Sequence, residues 1–342
     1  MLKTRRFPIR MMLRWGMPIG AMGATWSAVV YAAYAVSEFQ WLRVPFLPIA
    51  TVGTAVAFYV GFKNNAAYDR FWEGRKIWGG IVNASRTWAM MVLSYIEPDD
   101  EGDQARETRR VLIYRHLAWV NALRLQLRRT SRFFDNPAPT TRRRLEAHAV
   151  VMRNDWQKEI SPFLSTSEFD AVSAQANSAT HLLLSQGKTV AALVSERRLD
   201  LFHQIQMMDV VQELYALQGK SERIKATPFP RQYAEFSRWF TRVFVVLLPF
   251  GMLDVFAART AGQASVAETV LSGLPMVVAC GVVTWVFVTM EGIGDSSEDP
   301  FERSMNDVPM NALSVTIERD LRQMLGETEI PEPEPVTDSI QY

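Results

Sequence analysis

The side chains that most often perform chemistry in proteins are scattered along this chain. Four histidines, His116, His148, His181 and His203, share no HExxH motif and no helical turn, and none has a cysteine neighbour. A zinc or iron site would therefore need ligands from distant segments. The single cysteine, Cys280, cannot form a CxxC motif or an intrachain disulfide. The sequence predicts no metal site and no redox centre.

Motifs that bind nucleotides or activate a serine are also missing. The sequence contains no GxxxxGK[ST], no GxGxxG that opens a helix after a strand, and no GxSxG. No long apolar segment combines a nucleophile with a base, or two carboxylates at a productive spacing, which disfavours a membrane-embedded hydrolase. We therefore predict that the chain is not an enzyme, has no catalytic residue and needs no cofactor.

Arginine is concentrated between residues 105 and 153, where twelve occur. Arg115, Arg124, Arg128 and Arg129 are interleaved with apolar positions, as on an amphipathic helix whose charged face meets water or anionic lipid. The whole chain has a net charge of only +1, so no global field attracts a polyanion. We expect membrane lipid, and not nucleic acid, as a partner.

The most regular pattern of side chains lies between Gly53 and Gly80. Thr54, Phe58 and Phe62 are four residues apart, which places them along one side of a helix. Spacing alone leaves two interpretations open. The stripe is either an ordinary core or lipid-facing surface, or the wall of a pore in a symmetric oligomer, where each position forms a ring and apolar rings gate by excluding water.

Long uncharged segments must position this stripe. The overall composition, 48% hydrophobic and 21% charged, is ordinary for a soluble protein, but residues 15–37, 44–62 and 269–290 contain no charge. A run of about 18 apolar residues can cross a hydrocarbon layer of about 30 Å as a helix. Residues 243–258 form a weaker candidate that includes Asp254. Four membrane helices are predicted, which excludes a purely soluble enzyme, a disordered chain and a fibrous one.

The flanking charges predict the orientation of these helices. Residues 1–14 contain five basic residues and no acid, as expected on the cytoplasmic side, and four spans return the C-terminus to that side. The predicted organisation is a basic cytosolic N-terminus (1–16), membrane helices 1 and 2 (17–62), a helical cytosolic domain (63–238), membrane helices 3 and 4 (239–290), a cytosolic acidic segment and helix (291–326) and a disordered tail (327–342).

Three groups of residues resemble the bestrophin family, and they occur in the family's order. The first is GFKNNAAYDRFWEGRK at residues 61–76, which is similar to the signature after the family's second membrane helix. The second is ERIKATPFP at 222–230, followed by Tyr233 and by LLPFG at 247–251. The third combines EDPF at 298–301, NDVP at 306–309 and IERDL at 317–321. The chain resembles the prokaryotic members over nearly its whole length except the tail.

This resemblance implies an all-α membrane protein, a homopentamer with four membrane helices and a helical cytosolic domain in each subunit, around one central pore. It places the narrow hydrophobic neck of that pore at Thr54, Phe58 and Phe62. Because Thr54 replaces the bulky apolar residue usual at the first neck position, we expect a wetter outermost ring. The resemblance places a second constriction at Phe202, or at Ile205 one turn later; a core helix of the soluble domain is the competing interpretation.

The resemblance also bears on calcium. Animal members bind calcium through consecutive acidic residues after a Pro-Phe pair, whereas this chain has ERSMND at residues 302–307. A calcium ion takes about six to eight oxygen ligands, which this broken run cannot easily supply. We predict no activation through a calcium clasp.

The sequence therefore predicts a pentameric channel for small monovalent ions in the bacterial inner membrane, with both termini cytoplasmic. Its partners would be further copies of the chain, the permeating inorganic ions and membrane lipid. Asp69, Arg70 and Glu73 are candidate pore-entrance charges, just inside the neck. The alternative is a non-conducting membrane-anchored scaffold, monomeric or dimeric, whose basic helical domain binds a partner or anionic lipid.

Overall fold

A computed structural model of the protein describes residues 9–37, 39–98, 102–129, 153–256, 266–302, 304, 306–336 and 340–342. Residues 1–8 of the predicted basic N-terminus, His148 and Arg303 lie outside the described residues. The α-helices of the described part are α1 (Ile9–Ser37), α2 (Phe46–Tyr95), α3 (Asp103–Leu127), α4 (Trp156–Ile160), α5 (Thr166–Ser173), α6 (Ser178–Ser195), α7 (Leu201–Ala226), α8 (Arg231–Phe256), α9 (Val266–Asp295) and α10 (Met310–Met324).

The chain divides into two compact units. The membrane unit comprises residues 4–69 and 229–298, and the polar unit comprises residues 70–228 and 299–342. The candidate membrane spans are Met12–Ser37, Gln40–Tyr95, Arg231–Phe256 and Leu271–Asp295. The four predicted spans and the all-helical class are therefore confirmed. The polar unit begins later than the predicted cytosolic domain and also contains the C-terminal residues.

In the membrane unit, α1 packs along α9 through small residues. A Cβ atom on Gly23 would overlap the Thr284 side chain, and one on Gly273 would overlap the ring of Tyr31. The Tyr31 hydroxyl forms a hydrogen bond of 2.9 Å with Ser272 next to that contact. Because lipid removes the hydrophobic drive for helix association, such close backbone approach and a shared hydrogen bond are what hold two spans together.

Helix α2 is longer than the sequence predicted. The second span was expected to end at Phe62, but α2 continues without a break to Tyr95 and contains 50 residues. The charges that indicated an end are satisfied inside the protein. Lys63 pairs with Glu291, and Arg70 donates to backbone carbonyl groups, so the helix does not need to stop at the apolar boundary.

The polar unit is built around α3. From Leu112 to Leu125 every side chain on α3 is buried or half-buried, so this helix is covered on all sides, as expected for a central helix. The second half of α2 contributes Trp78 and Trp88, and α3 contributes Trp119; none of these three indole rings is exposed. The Trp119 Nε1 donates to Gln218 Oε1 of α7 at 3.0 Å.

The structure corrects the prediction that the α3 arginines meet water or lipid. Arg115, Arg124 and Arg128 are buried, and Arg129 alone of the four is exposed. The buried group around Arg124, here called the Arg124 cluster, consists of Arg124, Arg128, Arg153, Glu159 and Asn311. Helical spacing could not reveal this burial because the acids and amides that receive these guanidinium groups come from other helices.

The C-terminal tail also differs from the prediction of disorder. Arg319 contacts the backbone oxygen of Pro331, and Arg322 Nη2 donates to that of Glu329 at 2.6 Å. Ile340 and Tyr342 are buried, and Tyr342 O accepts from the backbone N–H of Ala312 at 2.9 Å. The proline and glutamate content suggested a solvated tail, but its carbonyl groups satisfy basic side chains of α10 instead. Residues 337–339 lie outside the described part.

Candidate pore-lining site

The predicted neck residues form one exposed stripe on α2. The side chains of Phe58 and Phe62 are 69% and 65% exposed, and Thr54 is also exposed. The two phenyl rings meet edge to face, with centroids 5.0 Å apart. An open groove of about 760 Å³ runs along this stripe, and its walls are formed by Leu47, Ala50, Thr51, Thr54, Ala55, Phe58, Tyr59 and Phe62. All of these residues belong to α2.

The opposite face of α2 explains why the stripe points away from the protein. Ile49, Val56, Val60 and Ala67 are almost fully buried. At Gly53 an added Cβ would meet the Phe244 ring of α8 at 2.6 Å. Within the described residues of the membrane unit, α2 is therefore covered on one side only. Large exposed aromatic residues such as Phe58 and Phe62 on the uncovered side of a helix indicate an interaction surface or a pore wall.

Thr54 differs from the aromatic positions in polarity but not in orientation. Its hydroxyl donates to Ala50 O at 3.0 Å, which satisfies the O–H within the helix. The oxygen keeps a lone pair that can accept from water. The stripe is thus most polar at Thr54 and driest at Phe58 and Phe62.

The three candidate pore-entrance charges do not share one environment. Asp69 is exposed and lies eleven residues after Phe58, about three helical turns, so it falls on the same side of α2 as the stripe. Arg70 donates to the backbone oxygens of Ile224 and Thr227 at 3.3 and 2.9 Å. Glu73 pairs with Arg223 at 2.9 Å. Of these three residues, Asp69 is exposed, whereas the charges of Arg70 and Glu73 are held by the contacts just named.

Phe202 and Ile205 lie at the start of α7, in the polar unit. Phe202 is 75% exposed and Ile205 is 54% exposed, three residues apart on one side of the helix. Asp200 caps α7 and accepts from the Phe202 backbone N–H at 2.8 Å, which stabilises the first turn of the helix. The interpretation as buried core residues therefore does not hold for either side chain.

A group of charged residues around the buried Lys63 in the membrane unit was missed by the sequence analysis. Lys63 Nζ lies 2.9 Å from Glu291, 3.5 Å from Asp295 and 3.7 Å from Glu298, and Arg238 lies 2.9 Å from Asp295. We call these five residues the Lys63 cluster. The spacing of the three acids by four and three residues is a visible signal, but the predicted organisation places Lys63 at the start of the cytosolic domain.

Two acids of residues 302–307, the segment that resembles the calcium clasp of animal members, have protein partners. Glu302 pairs with Lys225, and Asp307 Oδ1 accepts from the backbone N–H groups of Phe301 and Val308 at 2.6 and 2.7 Å. Burial raises the pKa of the Glu302 carboxyl, although Lys225 opposes this shift. In the part of the chain that the structure describes, no three His, Cys, Asp or Glu side chains are placed to hold a metal ion.

The described histidines are placed in separate environments. His116 Nε2 lies 2.9 Å from Ser85 Oγ, and Ser85 Oγ in turn donates to Ile81 O at 2.7 Å. The Ser85 hydrogen is thus committed, so Nε2 carries the imidazole proton. Burial lowers the pKa of His116 to about 3. The ring of His203 stacks on Tyr95 with centroids 4.0 Å apart.

Comparison with known proteins identifies the family. A sequence model described as Bacterial/Fungal Bestrophin protein matches residues 17–323. The Voltage-dependent anion channel-forming protein YneE of Escherichia coli K12 is 28% identical over 284 residues, which cover 83% of this chain and 78% of that protein. The Voltage-dependent anion channel-forming protein RSc3414 of Ralstonia nicotianae is 28% identical over 280 residues, which cover 82% and 77%.

A solved structure agrees with this assignment at the level of the fold. The crystal structure of a bacterial bestrophin homolog from Klebsiella pneumoniae matches with a TM-score of 0.72 and 23% identity, and the match covers 92% of this chain and 99% of that one. The family inferred from the three sequence groups is confirmed, and with it the prediction of a membrane channel protein and not an enzyme. The chain is a member of the bacterial and fungal bestrophin family.

Proposed function

We propose that the protein is a homopentameric ion channel of the bacterial inner membrane, with both termini cytoplasmic, that conducts small monovalent ions. The observation that carries this proposal is the exposed stripe of Thr54, Phe58 and Phe62 on α2. A single helix cannot enclose a pore, so the stripe acquires this role only when symmetric copies surround an axis. Membership of the family and the names of the anion channel-forming relatives support conduction.

In such an assembly each stripe position becomes a ring. The Phe58 and Phe62 rings would form the narrow neck, where ions pass partly dehydrated and the pore closes by expelling water. The Thr54 ring would hold water more readily because its oxygen accepts hydrogen bonds. Phe202 and Ile205 would form the second constriction, since both side chains are exposed at the capped start of α7.

Charge on the stripe bears on the sign of the permeating ion. We assign the pore-entrance charge to Asp69, because Arg70 and Glu73 are engaged by carbonyl groups and by Arg223. Rings of carboxylates attract cations, whereas the curated relatives carry the word anion in their names. The wild-type ion selectivity, and its change in Asp69→Asn, decide between these two indications.

Calcium is not expected to open the channel through the acidic segment. Glu302 and Asp307 are already bound to Lys225 and to backbone N–H groups. A cation would have to displace these partners before it gained oxygen ligands. Currents should therefore be the same in calcium and in a chelator.

The scaffold alternative depends on the arginines of α3, and their positions weaken it. Arg124 and Arg128 both donate to Asn311 Oδ1, at 2.7 and 2.6 Å, and Arg115 pairs with Glu168. Guanidinium groups that are buried and already paired cannot also bind lipid headgroups. Among these arginines, Arg129 remains exposed for such a contact.

The first test is a planar-bilayer recording of the purified oligomer under a potassium chloride gradient. A reversal potential shifted from zero would establish conduction and the sign of selectivity together. Five subunits in detergent would support the assembly. A monomer or dimer, or no current from an intact pentamer, would favour the scaffold.

The neck is tested by replacing both phenylalanines. Phe58→Ala together with Phe62→Ala should widen and wet the two rings and increase the single-channel conductance by about fivefold, as expected when a dry barrier of about 1 kcal/mol is removed. Val52→Ala is the matched control, because Val52 is an exposed apolar residue of α2 that lies off the stripe. An unchanged conductance in the double variant would contradict the assigned neck.

A further inference from the structure

Within the membrane unit, the buried face of α2 is apolar with one exception. From Ile49 through Val56 and Val60 to Ala67, the buried positions are aliphatic or small, but Lys63 occupies the same face and its side chain has no exposed area. An aliphatic residue would pack there without loss of hydration. A lysine that replaces it needs a compensating interaction, because removing an ammonium group from water costs several kcal/mol.

The compensation comes from the end of α9. The Lys63 Nζ donates to Glu291 Oε1 at 2.9 Å, with Asp295 and Glu298 at 3.5 and 3.7 Å. Glu291 and Asp295 lie one turn apart on the same side of α9, and Glu298 follows the end of this helix, so three carboxylates lie near one ammonium group. Arg238 of α8 pairs with Asp295, and the Lys63 cluster thereby contacts three membrane helices.

A second contact joins α2 and α9 next to the ion pair of Lys63 and Glu291. The Asn64 side chain donates to Met290 O of α9 at 2.8 Å. Gly294 permits this approach, because a Cβ atom there would overlap the Asn64 amide. Two consecutive residues of α2 are thus held by α9, directly after the neck residue Phe62.

Buried ion pairs seldom add net stability over apolar packing, and their best-established use is to select one register among several. Lys63 is suited to that use because it lies about 140° around α2 from Phe58 and about 100° from Phe62. A rotation of α2 by about 30° would move an atom about 6 Å from the axis by about 3 Å, which is enough to break a close ion pair. The pair therefore restricts the directions in which the two phenyl rings can point.

We propose that Lys63 is a positioning residue for the neck: its ion pair with Glu291 sets the rotation of α2 and holds Phe58 and Phe62 on the stripe. This inference rests on the proposed function in that it takes those two residues as the pore wall. It assigns a role to a side chain that lies on the opposite side of the helix from the pore and does not touch the permeating ion.

The experiment measures the orientation of the neck separately from conduction. In a Cys280→Ala background, Phe62→Cys provides one thiol whose rate of modification by a water-soluble thiosulfonate reports its exposure in the assembled protein. Lys63→Met and Glu291→Gln should each change this rate by about fivefold, the size expected when a coupling of about 1 kcal/mol is lost. Lys63→Arg should retain the wild-type rate because it keeps the positive charge.

Electrical recordings supply the second readout. The same two variants without the introduced thiol should change the permeability of a large organic ion relative to a small ion of the same sign. A lysine that served only for stability would lower the melting temperature without changing that ratio in channels that assemble. If Lys63→Met does not assemble, Glu291→Gln still decides, because it removes the charge and keeps the shape.

Two controls separate positioning from general damage. Asp254→Asn breaks the ion pair of 2.8 Å with Arg43 at the other end of α2, in the same unit. Glu159→Gln weakens a buried ion pair in the polar unit. Both should leave the modification rate and the permeability ratio unchanged.

Wild-type values for Lys63→Met and Glu291→Gln in both readouts would overturn the proposal. An intact wild-type pentamer without current would instead contradict the proposed function, and the modification rates would still test whether Lys63 positions the stripe.

Discussion

The two units bury their charges in different ways. In the Arg124 cluster, Arg124 and Arg128 share Asn311 Oδ1, and Arg124 also donates to Arg153 O, Asn121 Oδ1 and Glu159 Oε2. Neutral oxygens thus satisfy much of the guanidinium group. Burial lowers the pKa of Arg124 to about 10, and Glu159 partly offsets the shift, so the side chain stays charged at neutral pH.

The Lys63 cluster has the opposite balance. The Lys63 ammonium group is a compact charge with three carboxylates between 2.9 and 3.7 Å away. The side chains of the five residues that define this cluster contain no neutral oxygen. A forked guanidinium group surrounded by oxygens of fixed direction is committed to one geometry. An ammonium group that faces several acids is held by total charge and less by direction. The Arg124 cluster therefore holds a core in one geometry, whereas the proposed role of the Lys63 cluster is to keep one side of α2 against the acids of α9.

The substitution with the largest expected effect removes the carboxylate of the Arg124 cluster. Glu159→Ala removes the carboxylate that accepts from Arg124 at 2.6 Å and from Arg153 at 2.9 Å, and it leaves a buried guanidinium group without its counterion. Such a loss costs about 3 to 5 kcal/mol. The free energy of unfolding, measured by denaturation of the detergent-solubilised protein, should fall by that amount, and Glu159→Gln should lose less. A cost below about 1 kcal/mol in Glu159→Ala would show that the cluster does not fix the core.

The second prediction concerns how the stability of the polar unit depends on pH. The pKa of His116 is lowered to about 3 by burial, below the ordinary 6.5, so the unfolded chain takes up the proton first as the pH falls. Stability should therefore decrease from about pH 6.5 downwards towards pH 3, and the contribution between pH 7 and pH 5 is about 2 kcal/mol. Between these pH values the unfolded chain binds a proton at His116 and the folded chain does not, so a lower pH favours the unfolded chain.

His116→Phe checks this assignment with little change in shape. The ring lies near Trp88 and Trp119, and Ser85 keeps its hydrogen bond to Ile81. The loss of stability between pH 7 and pH 5 should be smaller in the variant than in the wild type by about 2 kcal/mol. Parallel pH profiles for the two proteins would mean that another group is responsible.

The substitution with the smallest expected effect tests how α9 holds α2 in the membrane unit. Gly294→Ala should displace the Asn64 amide and break its hydrogen bond to Met290 O, at a cost of about 1 kcal/mol. The variant should also shift the rate of thiol modification at the neck in the same direction as Glu291→Gln. Gly292→Ala is the matched control on the same helix, because an added Cβ at Gly292 makes only ordinary contacts with Trp15, at 3.8 Å or more. If both glycine variants behave alike, the contact between Asn64 and α9 does not hold α2.

The helices and their faces could be predicted from sequence where a single property of a segment, its lack of charge or its spacing, was enough to identify them. Uncharged runs indicated the four spans, and the spacing of Thr54, Phe58 and Phe62 indicated one face of α2. The end of α2 could not be predicted, because Lys63 and Arg70 have the composition of a membrane boundary whether or not acids and carbonyl groups receive them.

The candidate site was predictable to a similar degree. The exposure of Phe202 followed from a resemblance and not from its spacing, since the helix face alone fitted a core equally well. The Lys63 cluster required the pairing of residues 63 and 291, which are distant in sequence and are brought together only by the packing of α2 on α9. The same limit applies to the arginines of α3, whose partners Glu159 and Asn311 lie on other helices.

The unbroken course of α2 constrains how this family can vary in sequence length. One residue inserted into an α-helix turns everything beyond it by about 100° relative to what precedes it. An insertion between Gly53 and Lys63 would therefore turn Gly53 away from Phe244 or turn Lys63 away from Glu291. Divergent members should accept insertions and deletions between their helices, while the number of residues from Gly53 to Lys63 stays constant.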